Sequence, residues 1–193
     1  MKKKFKQHVR LARYVIYKET LLDFREHTWT FIGSFVGIAL IGWLSSLYFS
    51  ETDNLFLIGS FGATSVLLFG QLNSPLAQPR NLLGGHLISG IVGVMMVQLL
   101  PHDLWLSSAL SVSLSIVLMQ VTKTLHPPGG ATALIANIGS EKIRSLGYWY
   151  VLNPVLTGVL VLLIVALIIN NITPNRQYPY NAEWYKIWKR RYR

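Results

Sequence analysis

The richest chemistry in the sequence lies in the run Lys123-Thr-Leu-His-Pro-Pro-Gly-Gly-Ala-Thr132. Proline suits the first turn of a helix, where its missing N–H costs nothing. Pro127 and Pro128 are therefore expected to start a helix running through Ala131 and Leu134. The N–H groups of Gly129, Gly130 and Ala131 would then be free and point back along its axis. Such an N-terminus inside a membrane protein is an anion site, with unpaired donors at the positive end of the helix dipole. The bland alternative is a helix start buried in packing. His126 stands just before this start. A histidine at membrane depth is a candidate proton carrier or hydrogen-bond donor, and otherwise a residue that caps the loop.

The motif has an earlier counterpart. Phe61 to Gly70 aligns with Gly129 to Ile138 at an offset of 68, which sets Gly62-Ala63-Thr64 on Gly130-Ala131-Thr132. Gly59-Ser60-Phe61-Gly62 is accordingly read as a second half-helix start. Short, Gly/Pro-interrupted apolar segments at matching places in two halves point to a transporter's binding site. The candidate anion ligands are Ser60, Gly62 and Thr64 from the first copy, and Gly129, Gly130, Ala131 and Thr132 from the second, with His126 beside them. Glycine lets the backbone approach an ion without a side chain in the way. Arg80, behind the Pro-bounded Ser74–Pro79 loop, either draws anions to a cytoplasmic mouth or anchors a helix end; Lys123 reads as an anchor. His86 reads as a packed, hydrogen-bonded residue, so His126 ranks above it for transport. No triad, metal-ligand spacing or phosphate loop is present, so neither an enzyme nor a cofactor is expected.

These residues sit in a chain built for a bilayer. Of 193 residues, 51% are hydrophobic and 13% charged, whereas soluble domains carry about 25% charged. The net charge of +10 lies wholly on the ends: residues 1–28 and 174–193 each contribute +5, and residues 29–173 contribute zero. That pattern excludes a water-soluble enzyme and argues against a nucleic-acid partner; basic ends flanking apolar spans mark cytoplasmic segments. The absence of cysteine excludes disulfides and thiolate metal sites. The N-terminus lacks the apolar core of a signal peptide. Residues 5–28 read as an amphipathic interfacial helix on anionic lipid or as a solvated tail.

Four stretches are long enough to span, since a bilayer core needs roughly 20 helical residues: 29–49, 81–100, 104–122 and 148–170. The apolar segments 54–72 and 126–139 are the broken ones. The serines at 107, 108, 111, 113 and 115 form no single clean stripe. The expected fold is an all-α polytopic bundle of two units of span, broken segment, span, covering 29–100 and 104–171. A basic segment, 1–28, precedes it and a basic aromatic tail, 172–193, follows. If both broken segments cross, Arg80, Lys123 and the two termini fall on one side. That places more positive charge inside than re-entrant segments would, and it makes the halves inverted repeats. Gly33 and Gly37, and Gly85, Gly90 and Gly93, give small-residue faces suited to close packing and to a homo-oligomer.

At Gly59-Ser-Phe-Gly-Ala-Thr64, Ser74-Pro-Leu-Ala-Gln-Pro-Arg-Asn81, Gly84-Gly-His-Leu-Ile-Ser89 and His126-Pro-Pro-Gly-Gly-Ala-Thr-Ala-Leu134 the sequence resembles the HPP family of integral membrane proteins, from about residue 29 to 171. The resemblance implies a small protein usually described with four transmembrane helices. It also implies nitrite transport, because plastid members of the family are nitrite transporters. The C-terminal nucleotide-sensing domains of bacterial relatives are not expected here. The basic N-terminus points to a bacterial inner membrane, with both termini cytoplasmic. The function expected is transport of a small monovalent anion, nitrite first. An anion channel for nitrate- or formate-like ions is the near alternative. A non-transporting membrane scaffold is the distant one.

Overall fold

The computed structural model describes residues 24–180; most of the basic N-terminal segment and residues 181–193 lie outside them. The described residues form seven α-helices and no strand. They are α1 (Phe24–Ser46), α2 (Glu51–Ser65), α3 (Pro79–Leu99), α4 (Leu104–Val121), α5 (Pro128–Ile138), the single-turn α6 (Glu141–Ser145) and α7 (Thr157–Ile169). A π-helical turn, Val66–Gly70, extends α2, and another, Val151–Leu156, leads into α7. Four helical stretches are long and apolar enough to cross a membrane: Phe24–Ser46, Pro79–Leu99, Leu104–Val121 and Val151–Ile169. Each falls within a few residues of an expected span. The first starts earlier, at Phe24, so the end of the basic segment is already part of α1.

The broken segments run from one end of the bundle to the other. Asn54 near the start of α2 donates to the Gly42 carbonyl (3.3 Å), and the Thr30 hydroxyl donates to the Phe69 carbonyl (3.0 Å). α2 and its π turn therefore lie antiparallel beside α1 over nearly its whole length. In the second half, Asn81 donates to the Leu125 carbonyl (2.8 Å) at one end, and the Ser140 hydroxyl donates to Asp53 Oδ2 (2.6 Å) at the other. Here the chain has no regular structure from Thr124 to His126 and enters α5 through Pro127. Lys123 makes that change of course with a left-handed φ of 58°, while the Thr124 N–H bonds back to the Met119 carbonyl (2.8 Å) and closes the end of α4.

Two ends result. One holds Arg25, Glu26, Arg80, Lys123 and Arg176; the other holds Glu51, Asp53, Asp103, Glu141, Lys142 and Arg144. The basic end is tied together by Arg176, which is only 4% exposed. Its guanidinium pairs with Glu26 (3.2 Å) and donates to Thr30 Oγ1 (3.1 Å), the Phe69 carbonyl (2.8 Å) and Asn170 Oδ1 (2.8 Å). Asn170 in turn donates to the Leu68 carbonyl (2.9 Å). A π turn leaves carbonyls that the regular ladder does not satisfy, and Arg176 and Asn170 supply the donors. Tyr178 also folds inward, donating to the Ala77 carbonyl (2.8 Å), and burial holds its phenol well above the ordinary range. Packing thus continues past residue 172, where the basic tail was expected to begin.

The serines of α4 correct an expectation. Ser107, Ser111 and Ser115 are fully buried at i, i+4 and i+8 and do form one stripe. Asn137 of α5 meets that stripe, accepting from Ser107 and donating to Ser111 (2.8 Å) and to the Ala133 carbonyl (2.9 Å). Serines at 108 and 113 lie off the stripe, which hid the period.

Arg176→Ala would remove a donor from the buried Asn170 Oδ1 and from the Phe69 carbonyl, and take away the partner of the partly exposed Glu26. It should destabilise the detergent-solubilised protein by about 3 kcal/mol, read as a lower thermal midpoint. Lys at 176 should recover little of this, because one ammonium cannot replace the guanidinium fork.

Candidate functional site

Ser60 and Thr64 stand one turn apart on the inner face of α2, and Thr132 stands on the inner face of α5. His86 comes from α3, and His126 from the irregular segment before α5. All five side chains are at most 3% exposed. The Ser60 hydroxyl lies 2.8 Å from Thr132 Oγ1 and 3.1 Å from the Pro128 carbonyl. His86 is bonded on both ring nitrogens, Nδ1 to Thr132 Oγ1 (2.7 Å) and Nε2 to Thr64 Oγ1 (2.9 Å). Thr64 Oγ1 also lies 3.3 Å from His126 Nε2 and 3.1 Å from the Ser60 carbonyl. His126 Nδ1 faces the Leu76 carbonyl at 2.8 Å. A carbonyl can only accept, so the neutral His126 carries its proton on Nδ1 and presents Nε2 inward as an acceptor.

Glycines let these elements close on one another. A Cβ at Gly85 would sit 2.4 Å from His126 Cβ, and one at Gly129 would sit 2.9 Å from the Gly85 carbonyl oxygen. At Gly93 it would meet the Ala133 carbonyl oxygen at 2.6 Å. The small face of α3 is thus where the backbone of the His-Pro-Pro segment lies against the second long span. Tyr150 adds a donor from outside the group, its O–H bonding to the Thr132 carbonyl (2.9 Å).

Two expectations about donors are corrected. Gly59–Gly62 is no helix start: α2 begins at Glu51, capped by Ser50, which accepts from the Asp53 N–H (3.3 Å). The strong cap outweighs the cost of interior glycines, about 1 kcal/mol each. Only α5 contributes a helix N-terminus here. Its first amides are not free either, since the Gly129 N–H bonds to the His126 carbonyl (2.9 Å) and the Gly130 N–H to the Pro127 carbonyl (3.0 Å). Pro127 already has helical φ and ψ, so both prolines lie in the first turn as expected.

The remaining candidates fall apart from the group. Gly62 faces open space, with nothing within 4 Å of an added Cβ, and Gly130 has only Val112 Cγ1, at 3.8 Å. Ala131 is half-buried beside them. Arg80 lies at the basic end, where Nη2 donates to the Thr122 carbonyl (2.7 Å) and caps α4. His86, ranked below His126 from the sequence, is as buried as His126 and shares Thr64 with it. Its signal was a lone histidine in an apolar span just behind two glycines.

A cleft of about 450 Å³ opens between α1 and the π turn before α7, lined by Ile41, Ser45, Phe49, Asn153, Pro154 and Gly158 among others. Phe61 separates it from the polar group. Its ring fills the space a Gly158 Cβ would take, with Cζ 2.3 Å from that point, and its centroid is 5.8 Å from that of His86.

The transmembrane region of HPP proteins matches residues 19–179. The chain belongs to the HPP family. It is 44% identical over 160 residues to each of two transmembrane proteins of Dictyostelium discoideum, and the matched part is 81% of this chain. It covers 56% of one relative and 51% of the other, so the chain spans about half the length of these relatives. No solved structure matches it. It is thus a multi-pass membrane protein of the HPP family.

The glycine geometry gives a paired test. Gly129→Ala should lower the thermal midpoint sharply, because the added methyl meets the backbone of α3. Gly130→Ala should fold like the parent, its methyl making an ordinary contact. Equal effects in a melting assay would contradict this packing.

Proposed function

We propose that the chain transports a small monovalent anion, nitrite first, through the hydroxyl and imidazole group between α2 and α5. The observation that carries this reading is the Ser60–Thr132 contact. Two broken segments, one from each half of the chain, meet through buried hydrogen-bond donors in the interior of a four-span protein. Polar groups at that depth are costly and mark ion or substrate pathways. Nitrite offers hydrogen-bond acceptors and one negative charge, which suits donors without a carboxylate among them. The Ser60 hydroxyl is the first ligand in this reading, with the hydroxyls of Thr64 and Thr132 and the imidazoles lined up behind it. The Gly129 and Gly130 amides assist only through the α5 dipole.

The order of packing supports an inverted repeat. α1 packs on α2 and α7, α4 packs on α5 and α3, and the broken segments α2 and α5 pack on each other. A pseudo-twofold exchanging the halves would produce these pairings. The charge division between the two ends favours a cytoplasmic location for the Arg176 end and for both termini, in a plasma (inner) membrane. The 450 Å³ cleft supplies a route from the opposite side, with Phe61 as the barrier at its base.

Nitrite flux into liposomes holding the full chain tests the reading, with nitrate, formate and chloride as competitors. Saturable nitrite uptake is expected. Ser60→Ala and Thr132→Val should each lower it by about tenfold or more, the effect of a lost interaction worth roughly 1.4 kcal/mol in the barrier. Phe61→Ala should raise it. Flux too fast for carrier turnover would make the protein a channel. No flux of any small anion by folded protein would favour the scaffold.

A further inference from the structure

The five side chains of the site form one continuous hydrogen-bonded chain, and its order of donors is set from one end. His126 Nδ1–H must donate to the Leu76 carbonyl (2.8 Å), so neutral His126 accepts at Nε2. Satisfying that nitrogen makes Thr64 the donor, which makes His86 Nε2–H the donor to Thr64. His86 Nδ1 then accepts from Thr132, and Thr132 accepts from Ser60. Every link is between 2.7 and 3.3 Å. A second complete order exists when His126 is doubly protonated. Its Nε2–H donates to Thr64, Thr64 to His86 Nε2, His86 Nδ1–H to Thr132, Thr132 to Ser60, and Ser60 to the Pro128 carbonyl at 3.1 Å.

One proton added at Ser60 and one hop along each of the four links between side chains convert the first order into the second. We propose that Ser60, Thr132, His86, Thr64 and His126 are a proton relay that moves one proton with each anion. The inference rests on the transport reading above and names the ion that accompanies the anion. When the Phe61 ring swings aside, a hydronium ion from the cleft gives its proton to Ser60 Oγ and leaves as water. The Ser60 proton passes to Thr132, the Thr132 proton to His86 Nδ1, the His86 Nε2 proton to Thr64, and the Thr64 proton to His126 Nε2. Five protons have shifted, and one positive charge has moved from Ser60 to His126.

Proton and anion then cross as a neutral pair, which removes most of the cost of a lone charge in a low-dielectric interior. His126 then gives its Nδ1 proton to water beyond the Leu76 loop. As the anion leaves and water enters, each ring gives up its remaining proton to water and takes one from water on its other nitrogen. Rotation of the hydroxyls completes the return to the first order. Thr64 controls the reset, because its hydroxyl can also turn to the Ser60 carbonyl (3.1 Å) and break the line.

No Asp or Glu side chain among the described residues hydrogen-bonds any member of the relay. Asp53, at the far end of α2, is held by Ser50 and Ser140. Arg80 sits at the opposite end on Thr122. The Phe61 ring packs on His86, and the Tyr150 hydroxyl donates to the Thr132 carbonyl.

Two measurements test the relay independently. In liposomes with a pH dye inside, a nitrite gradient should acidify the interior beyond the rate of protein-free vesicles. That rate should not change when a potassium–valinomycin potential is imposed. Thr64→Val, which keeps the shape and removes the hydroxyl, should cut the coupled acidification by about a hundredfold, the low end of what a lost proton-transfer step costs. Thr64→Ser should restore it. Saturable nitrite uptake that follows the potential and carries no protons would overturn the relay and leave anion transport standing.

The second measurement needs no anion. In protein carrying ¹⁵N-histidine, NMR at neutral pH should show His86 protonated at Nε2 and His126 at Nδ1. On acidification His126 should gain its Nε2 proton while His86 changes to the Nδ1–H tautomer, and Thr64→Val should uncouple the two events. Protonation of His126 with no change at His86 would overturn the relay even if no anion is carried.

Discussion

The rest of this structure depends on a single constraint: a polar group buried at membrane depth is costly unless it finds its partner inside the protein. In water an unsatisfied hydroxyl or imidazole costs little, whereas in hydrocarbon each costs several kcal/mol. Five such groups lie within a few ångströms of one another here and are almost wholly enclosed. They can be there only because each satisfies the next. The close approach of α3 to the His-Pro-Pro segment follows from this. A methyl on Gly85 would displace His126, and one on Gly129 would push α5 away from α3.

The same constraint explains both ends of the broken segments. A regular helix satisfies its own backbone, but a π turn or an irregular stretch does not. At the basic end the carbonyls of Leu68 and Phe69 are taken by Asn170 and Arg176, and the Leu125 carbonyl is taken by Asn81. At the acidic end Asp53 accepts from both the N–H and the hydroxyl of Ser140. The two broken segments are therefore joined at Ser60 in the interior and at Asp53 near one end. The π turn is pinned to α1 and to the segment after α7. Movement of α2 against α5 would have to exchange hydrogen bonds rather than abandon them, which favours discrete states over gradual deformation.

How much of this the sequence displayed varies with the length scale of the signal. The four spans were legible because little besides a membrane-crossing helix calls for a run of about 20 apolar residues. Thr64 and Thr132 were legible because Gly-Ala-Thr recurs at a fixed offset, and Ser60 and His126 because they stand just before the two copies. The start of α2 was not, because the glycines at 59 and 62 suggested a break, while the Ser50–Asp53 cap lies beyond a pair of acidic residues that look like loop. The stripe on α4 was obscured by serines at 108 and 113, and its partner Asn137 carries no pattern of its own. Arg176 was read as one more charge of a basic tail. Its partners are Glu26 and Thr30 of α1, Asn170 and the Phe69 carbonyl of the π turn, and no local pattern ties those positions to it.

The placement of His86 shows why a pairwise network escapes a sequence reading. A lone histidine on an apolar helix is most simply a packed residue, and by burial His86 is one. What distinguishes it is that its two nitrogens face hydroxyls from the two different broken segments, Thr64 and Thr132. Those hydroxyls are 68 residues apart in sequence and hold equivalent places in the repeated motif. An imidazole between equivalent groups has two tautomers of similar hydrogen-bonding merit, with its neighbours free to reverse along with it. The repeat thus supplies what a reversible hydrogen-bond chain requires, a central two-sided group flanked by like partners. His126, fixed at one nitrogen by a backbone carbonyl, breaks that evenness and gives the chain a direction.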